Sequence, residues 1–171
     1  NVQPPRNIVE LNLLCTCYIL MGDLTKAVSY LHKAMSLDPC DRLVQLNQAR
    51  ICLIKSDYEE ALVISKKTIE QFPNDAETSA VLGNCYRVKN QIDDSLRYFN
   101  QAIKLDSLNV EALIGRAYIN ISKGKKLEAL SDCEIAYRVK PHISQIRIMT
   151  ADLNIELGRH EEAKNRIESI I

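Results

Sequence analysis

Tryptophan is absent from the 171-residue sequence, and phenylalanine (two), glycine (five) and proline (five) are scarce. Sandwiches, barrels and long phosphate-cradling loops need far more turn residues than this, so the punctuation excludes them and leaves an all-helical chain. An excess of charge of one sign is missing too. Twenty-two Lys plus Arg balance twenty-two Asp plus Glu, so the chain lacks the whole-molecule attraction that draws basic proteins to nucleic acid or to an anionic membrane. No apolar run reaches the roughly eighteen residues of a membrane span. The opening stretch Asn1-Val2-Gln3-Pro4-Pro5-Arg6-Asn7 has neither an initiating Met nor an apolar signal core, which reads as a fragment of a longer chain.

The remaining composition, 46% apolar and 26% charged, is that of a chain able to bury a core. Six cysteines, at positions 15, 17, 40, 52, 85 and 133, follow no framework spacing, and a chain of this size needs no cross-links. Reduced thiols and a cytoplasmic or nuclear location are therefore expected. The sequon Asn120-Ile121-Ser122 argues for secretion, but it falls inside a predicted helix and carries little weight.

The chain repeats every 34 residues: Pro39, Pro73 and Pro141 share one phase, Ala27, Ala61, Ala129 and Ala163 a second, and Gly22, Gly124 and Gly158 a third. After a linker over 1–7, the segments are 8–41, 42–75, 76–109, 110–143 and an incomplete 144–171, with no insertion. Each reads as two amphipathic helices. In 76–109, Val81, Leu82 and Tyr86, then Ile92, Leu96, Phe99 and Ile103, recur at helical spacing. Asn90 stands where other repeats have Gly, as expected of a left-handed residue closing the first helix, and Asp106-Ser107 ends the second. The eighth place of each repeat is small (Cys15, Ala49, Gly83, Ala117, Ala151), which marks close helix crossings.

Leu82-Gly83-Asn84-Cys85-Tyr86, followed by Tyr98-Phe99-Asn100-Gln101-Ala102-Ile103-Lys104-Leu105-Asp106, resembles the consensus of the tetratricopeptide-repeat family, and the resemblance covers residues 8 to 171. It implies an all-α, right-handed superhelical solenoid of antiparallel helix pairs, with about five repeats, the last incomplete. Gln48, Arg116 and Thr150 depart from the family's Leu, Ser95 from its Ala and Ser107 from its Pro. The family's first helices line a concave groove that holds a peptide or helix of a partner subunit. Carried over by phase, the groove residues are Asn12, Thr16, Ile19, Leu46, Arg50, Leu53, Asn84, Arg87, Ile114, Tyr118, Ile121 and Asp152. Arg50 and Tyr118 are the expected anchors, because Arg and Tyr dominate interface hot spots. Chaperone-binding members clamp a C-terminal carboxylate with Lys and Asn, and no register here supplies that set, so an Hsp70 or Hsp90 tail is not the expected ligand.

Nothing in the sequence assembles a catalytic, metal or cofactor site. Cys15 and Cys17, two residues apart, are separated by about 200° around a helix and cannot chelate together. His32, His142 and His160 lie in different repeats with no second ligand one turn away, and no Gly-rich phosphate motif or His-Glu-x-x-His occurs. Lys123, Lys125, Lys126, Arg138 and Lys140 bring repeat four only to +2, which reads as a solvated face and not a nucleic-acid stripe. The expected function is a non-enzymatic protein-interaction scaffold within a larger assembly. The alternative is a regulatory or substrate-recruiting segment of an enzyme whose catalytic domain lies outside these residues. Ile170 occupies the place of Ala34, Ala102 and Ala136, so the apolar end Ile167 to Ile171 is expected to be covered by a further helix or to drive self-association.

Overall fold

The computed structural model describes residues 7–168, and every regular element among them is an α-helix. In chain order these are α1 (Ile8–Leu20), α2 (Leu24–Leu37), α3 (Arg42–Ile54), α4 (Tyr58–Gln71) and α5 (Ala76–Val88), then α6 (Ile92–Leu105), α7 (Val110–Ser122), α8 (Lys126–Val139), α9 (Ser144–Glu156) and α10 (His160–Glu168). Each 34-residue stretch holds one helix pair.

Short polar side chains set the helix starts. Asn7, Asp41, Asp75 and Asn109, spaced by the repeat, each accept a hydrogen bond from the amide three residues on, at 2.8 to 3.1 Å. The fifth residue in that phase, Ile143, has no side-chain cap to offer α9. The turns between paired helices are as regular. Gly22, Ser56, Asn90, Gly124 and Gly158 all take positive φ. Asn90 behaves as the sequence predicts, and Ser56 is a fifth member that the glycine pattern does not reveal.

The helices form two compact units, residues 1–74 and 75–171. In the first, Leu11 and Cys15 of α1, Ala27, Leu31 and Ala34 of α2, and Val44 and Ile51 of α3 share one core. A polar seam joins α1 to α3. Asn12 Nδ2 donates to Asp41 Oδ1 (2.9 Å), and Asn47 Nδ2 donates to the Asn12 backbone oxygen (3.2 Å). Thr68 Oγ1 of α4 donates to Gln45 Oε1 (2.9 Å), so the buried amides of α3 are satisfied on both sides. Along α1, Leu13, Cys17 and Leu20 form an exposed apolar stripe, whereas the in-phase counterparts of the first two on α3, Asn47 and Ile51, are buried.

The second unit is organised around Phe99, which is fully buried on α6. A Cβ added at Gly83 of α5 would fall 2.7 Å from two Phe99 ring carbons, and one added at Gly115 of α7 would collide with the Cζ of the same ring. The ring thus fills the space left by two glycines on the helices flanking it. Gly83 sits at a close crossing, as its phase predicts. Gly115 is a second such site, outside the small-residue phase. Three of the departures from consensus also find their reasons here. Ser95 donates to the Gly83 carbonyl (2.8 Å), Thr150 to the Ile146 carbonyl (2.7 Å). Arg116 takes Asp132 through Nε (2.8 Å) and Nη2 (2.6 Å), and Asn100 through Nη1 (2.8 Å). The hydrogen bond to Asp132 raises the Arg116 pKa against the opposing effect of burial. Further along, Ala117, Ala129, Leu130, Cys133, Met149 and Leu153 join α7, α8 and α9. Ile167 of α10 is half-exposed, while Ile170 and Ile171, on which the expected apolar end partly rests, lie outside the described residues.

Candidate functional site: a recess between the first helices of the second unit

In the second unit α5 and α7 pack directly against each other, whereas the backbones of α7 and α9 stand further apart. The residues at equivalent phase explain the difference. Ala80 of α5 and Gly115 of α7 are small, the space beside Gly115 being filled from α6 by the Phe99 ring, and one repeat later the same places hold Ile114 and Met149. Small side chains let neighbouring first helices approach, and long ones keep them further apart. The result is an open recess of about 550 Å³, with Ile121, Ile148, Met149 and Leu153 supplying its apolar surface and Tyr118, Gln145, Asp152 and Glu156 its polar positions. A smaller depression of about 240 Å³ shares Tyr118 and Gln145 with it and reaches Asn84, Arg87, Glu111 and Ile143.

Tyr118 stands where the two meet. The Arg87 guanidinium lies 5.5 Å from its ring centroid, within cation–π range, and Gln145 Nε2 donates to its hydroxyl. Arg87 Nε in turn donates to Asn84 Oδ1 (3.3 Å), and Asn84 Nδ2 donates to Glu111 Oε1 (3.0 Å). This chain of contacts orients the ring and leaves it 36% exposed at the lip of the recess. On the far side Lys126 Nζ pairs with Glu156 (3.1 Å). Asp152, one turn before Glu156, is exposed, and its carboxylate makes no hydrogen bond or ion pair among the described residues.

Of the groove residues expected from phase, the structure brings Asn84, Arg87, Ile114, Tyr118, Ile121 and Asp152 together in the second unit. Those of the first unit are placed differently. Asn12 and Leu46 are each 1% exposed, and Asn12 is engaged by Asp41 and Asn47. Thr16, whose hydroxyl bonds Asn47 Oδ1 (3.1 Å), is partly accessible, as are Ile19, Arg50 and Leu53. Sequence reasoning missed Met149, Leu153 and Glu156 as recess residues and missed the role of Ile143. The signals were present in the sequence: a large residue at Met149 where the preceding repeat has Gly115, and an apolar residue at Ile143 where four repeats have Asn or Asp.

Fold and repeat together define a tetratricopeptide-repeat protein. The family profile ChAPs, for Chs5p-Arf1p-binding proteins, matches residues 6–114, and the chain belongs to that family. It is 34% identical over 84 residues to a TPR repeat-containing protein of Methanocaldococcus jannaschii, covering 49% of this chain and 26% of that one. Over 123 residues it is 26% identical to the BBSome complex member BBS4 of Bos taurus, covering 72% of this chain and 22% of that one. The chain thus spans about a quarter of the length of these relatives. Among solved structures, the thermophilic TPR protein TTC0263 of Thermus thermophilus superposes with a TM-score of 0.79 at 18% identity, covering 95% of this chain and 89% of that one.

Proposed function

We propose that this chain is a non-catalytic scaffold segment whose second unit docks an apolar stretch of a partner subunit in the recess between α7 and α9. The observation that carries the reading is the recess itself: Ile121, Ile148, Met149 and Leu153 surround an open space of about 550 Å³ between two first helices. Covering apolar surface of this kind with an apolar side chain gains free energy. Local rules are also broken beside it. The one first-helix start without a side-chain cap is that of α9, and its Ile143 instead lines the adjoining depression. Such exceptions to otherwise consistent patterning are expected at functional sites.

The family's description as Chs5p-Arf1p-binding proteins and the membership of BBS4 in the BBSome complex support a role in partner binding within an assembly. A neutral net charge favours a protein partner over nucleic acid or a membrane surface, and no helix among the described residues is long and apolar enough to cross a membrane. Cysteines held as thiols fit a reducing compartment, cytoplasm or nucleus. Exposed Ile148, Ile155 and Ile167 make self-association through the C-terminal repeat part of the proposal, and sedimentation over a concentration series reads it.

The test is affinity capture from cells with the wild type and a Tyr118→Ala/Ile148→Asp variant, both sites being exposed enough for the fold to survive. The variant is expected to retain full helicity and lose the partner. Arg50→Ala, tested alone, reads the contribution of the first unit. Equal recovery by the wild type and the double variant would remove the recess as the docking place.

A further inference from the structure

Resting on the docking reading above, we infer that the segment received by the α7–α9 recess carries a Lys or Arg within about one turn of its apolar anchor. Charge is distributed unevenly around the hollow. Its surface is apolar, yet α9 sets two carboxylates beside it one turn apart, Asp152 and Glu156. Like charges at this spacing destabilise a helix by a few tenths of a kcal/mol, so folding alone does not favour the arrangement. Lys126 answers Glu156 at 3.1 Å, but both side chains are about half-exposed, so the pair is weak and open to exchange. Nothing among the described residues answers Asp152.

No cation lines the recess itself. Arg87, the basic residue of the adjoining depression, lies over the Tyr118 ring and is tied to Asn84. A partner bringing a carboxylate would therefore meet Asp152 and Glu156 as its side chains were desolvated, and would be repelled. A partner bringing an ammonium or guanidinium gains a pairing beside an apolar contact, where the local dielectric is lower than in water. The combination selects by exclusion as well as by attraction. A neutral apolar peptide would gain only the burial.

A random 12-residue peptide library displayed on phage and panned against the 171-residue chain tests this directly. Enriched peptides are expected to place Leu, Met, Ile or Phe within four residues of Lys or Arg. Their binding is expected to fall roughly threefold to thirtyfold with Asp152→Lys, the range spanned by losing one exposed pair and gaining one repulsion. Binding is also expected to fail with Ile148→Asp, whose side chain is exposed enough that the helices should be unaffected. Peptides that lose binding with Ile148→Asp but show no basic preference and ignore Asp152→Lys would leave the recess as the docking site and overturn the charge inference. Peptides indifferent to Ile148→Asp, or no enrichment at all, would overturn both.

Discussion

Phe99, between Gly83 and Gly115, is the most sharply defined packing feature of the second unit, and Gly83→Ala perturbs it with a single methyl group. In an open helix that substitution stabilises by about 1 kcal/mol, because Ala is the better helix former. At Gly83 the new Cβ would sit 2.7 Å from two ring carbons, closer than side chains tolerate, and the ring cannot retreat because Gly115 closes the other side. Overpacking of this kind costs about 1–3 kcal/mol. The two effects oppose, and the net expectation is a loss of about 0–2 kcal/mol, with Gly83→Leu worse. The decisive reading is the double-mutant cycle with Phe99→Leu. Shortening the ring removes the collision, so in that background Gly83→Ala should recover its helix-propensity gain, giving a coupling of about 1–3 kcal/mol. Reversible urea unfolding followed by far-ultraviolet circular dichroism measures all four corners. A Gly83→Ala substitution that stabilises by the same amount in both backgrounds would refute the wedge.

Four further outcomes follow from the same structure. Ser56 holds φ 66°, where a side chain is strained, so Ser56→Gly should raise stability by about 1 kcal/mol, read as a shift in the urea midpoint. Ile143→Asp restores the cap that the other first helices have and should stabilise α9 by about 0.5–1 kcal/mol while weakening partner capture, a trade visible by pairing a melt with a binding measurement. Of the six thiols, Cys17 and Cys40 are exposed and should react at once with an aromatic disulfide reagent at neutral pH, while Cys15, Cys52, Cys85 and Cys133 should wait for unfolding. Burial pushes Cys15 and Cys52 up to about 11 and Cys133 to about 12, against an ordinary 9.0. Above pH 9 the unfolded chain therefore binds fewer protons at these sites than the folded one, and stability should fall as pH rises through 9 toward 12. Cys133→Ala should flatten that fall.

The helix pairs were legible because their signals are local and repeated. Alanines at 27, 61, 129 and 163 are buried at one shared place in their pairs, and the phase that contains Gly22 also predicts the left-handed turn at Asn90. Ser56 stands in the same phase and escaped because neither glycine nor asparagine is there to announce a left-handed residue. The candidate site was legible only in part. Phase alone treats equivalent positions alike, so it assigned Asn12 and Leu46 to the groove although both are buried, and passed over Met149. The recess lies where the repeats differ: Ile114 and Met149 stand where the preceding repeats have Ala80 and Gly115. A period finds what repeats share, whereas spacing between neighbouring helices depends on side-chain volume at each contact. Likewise Arg116 looks like a defect in a one-repeat comparison and makes sense only beside Asp132, sixteen residues away on the next helix.

The central claim is that a partner seats in the recess between α7 and α9, and site-specific photocrosslinking in cells tests it most directly. A photoreactive phenylalanine analogue is placed at Ile148, inside the recess, or at Lys104 on the exposed side of α6. Docking in the recess predicts a discrete crosslinked partner from position 148 and none from position 104. A partner trapped from position 104 and not from position 148 would contradict it.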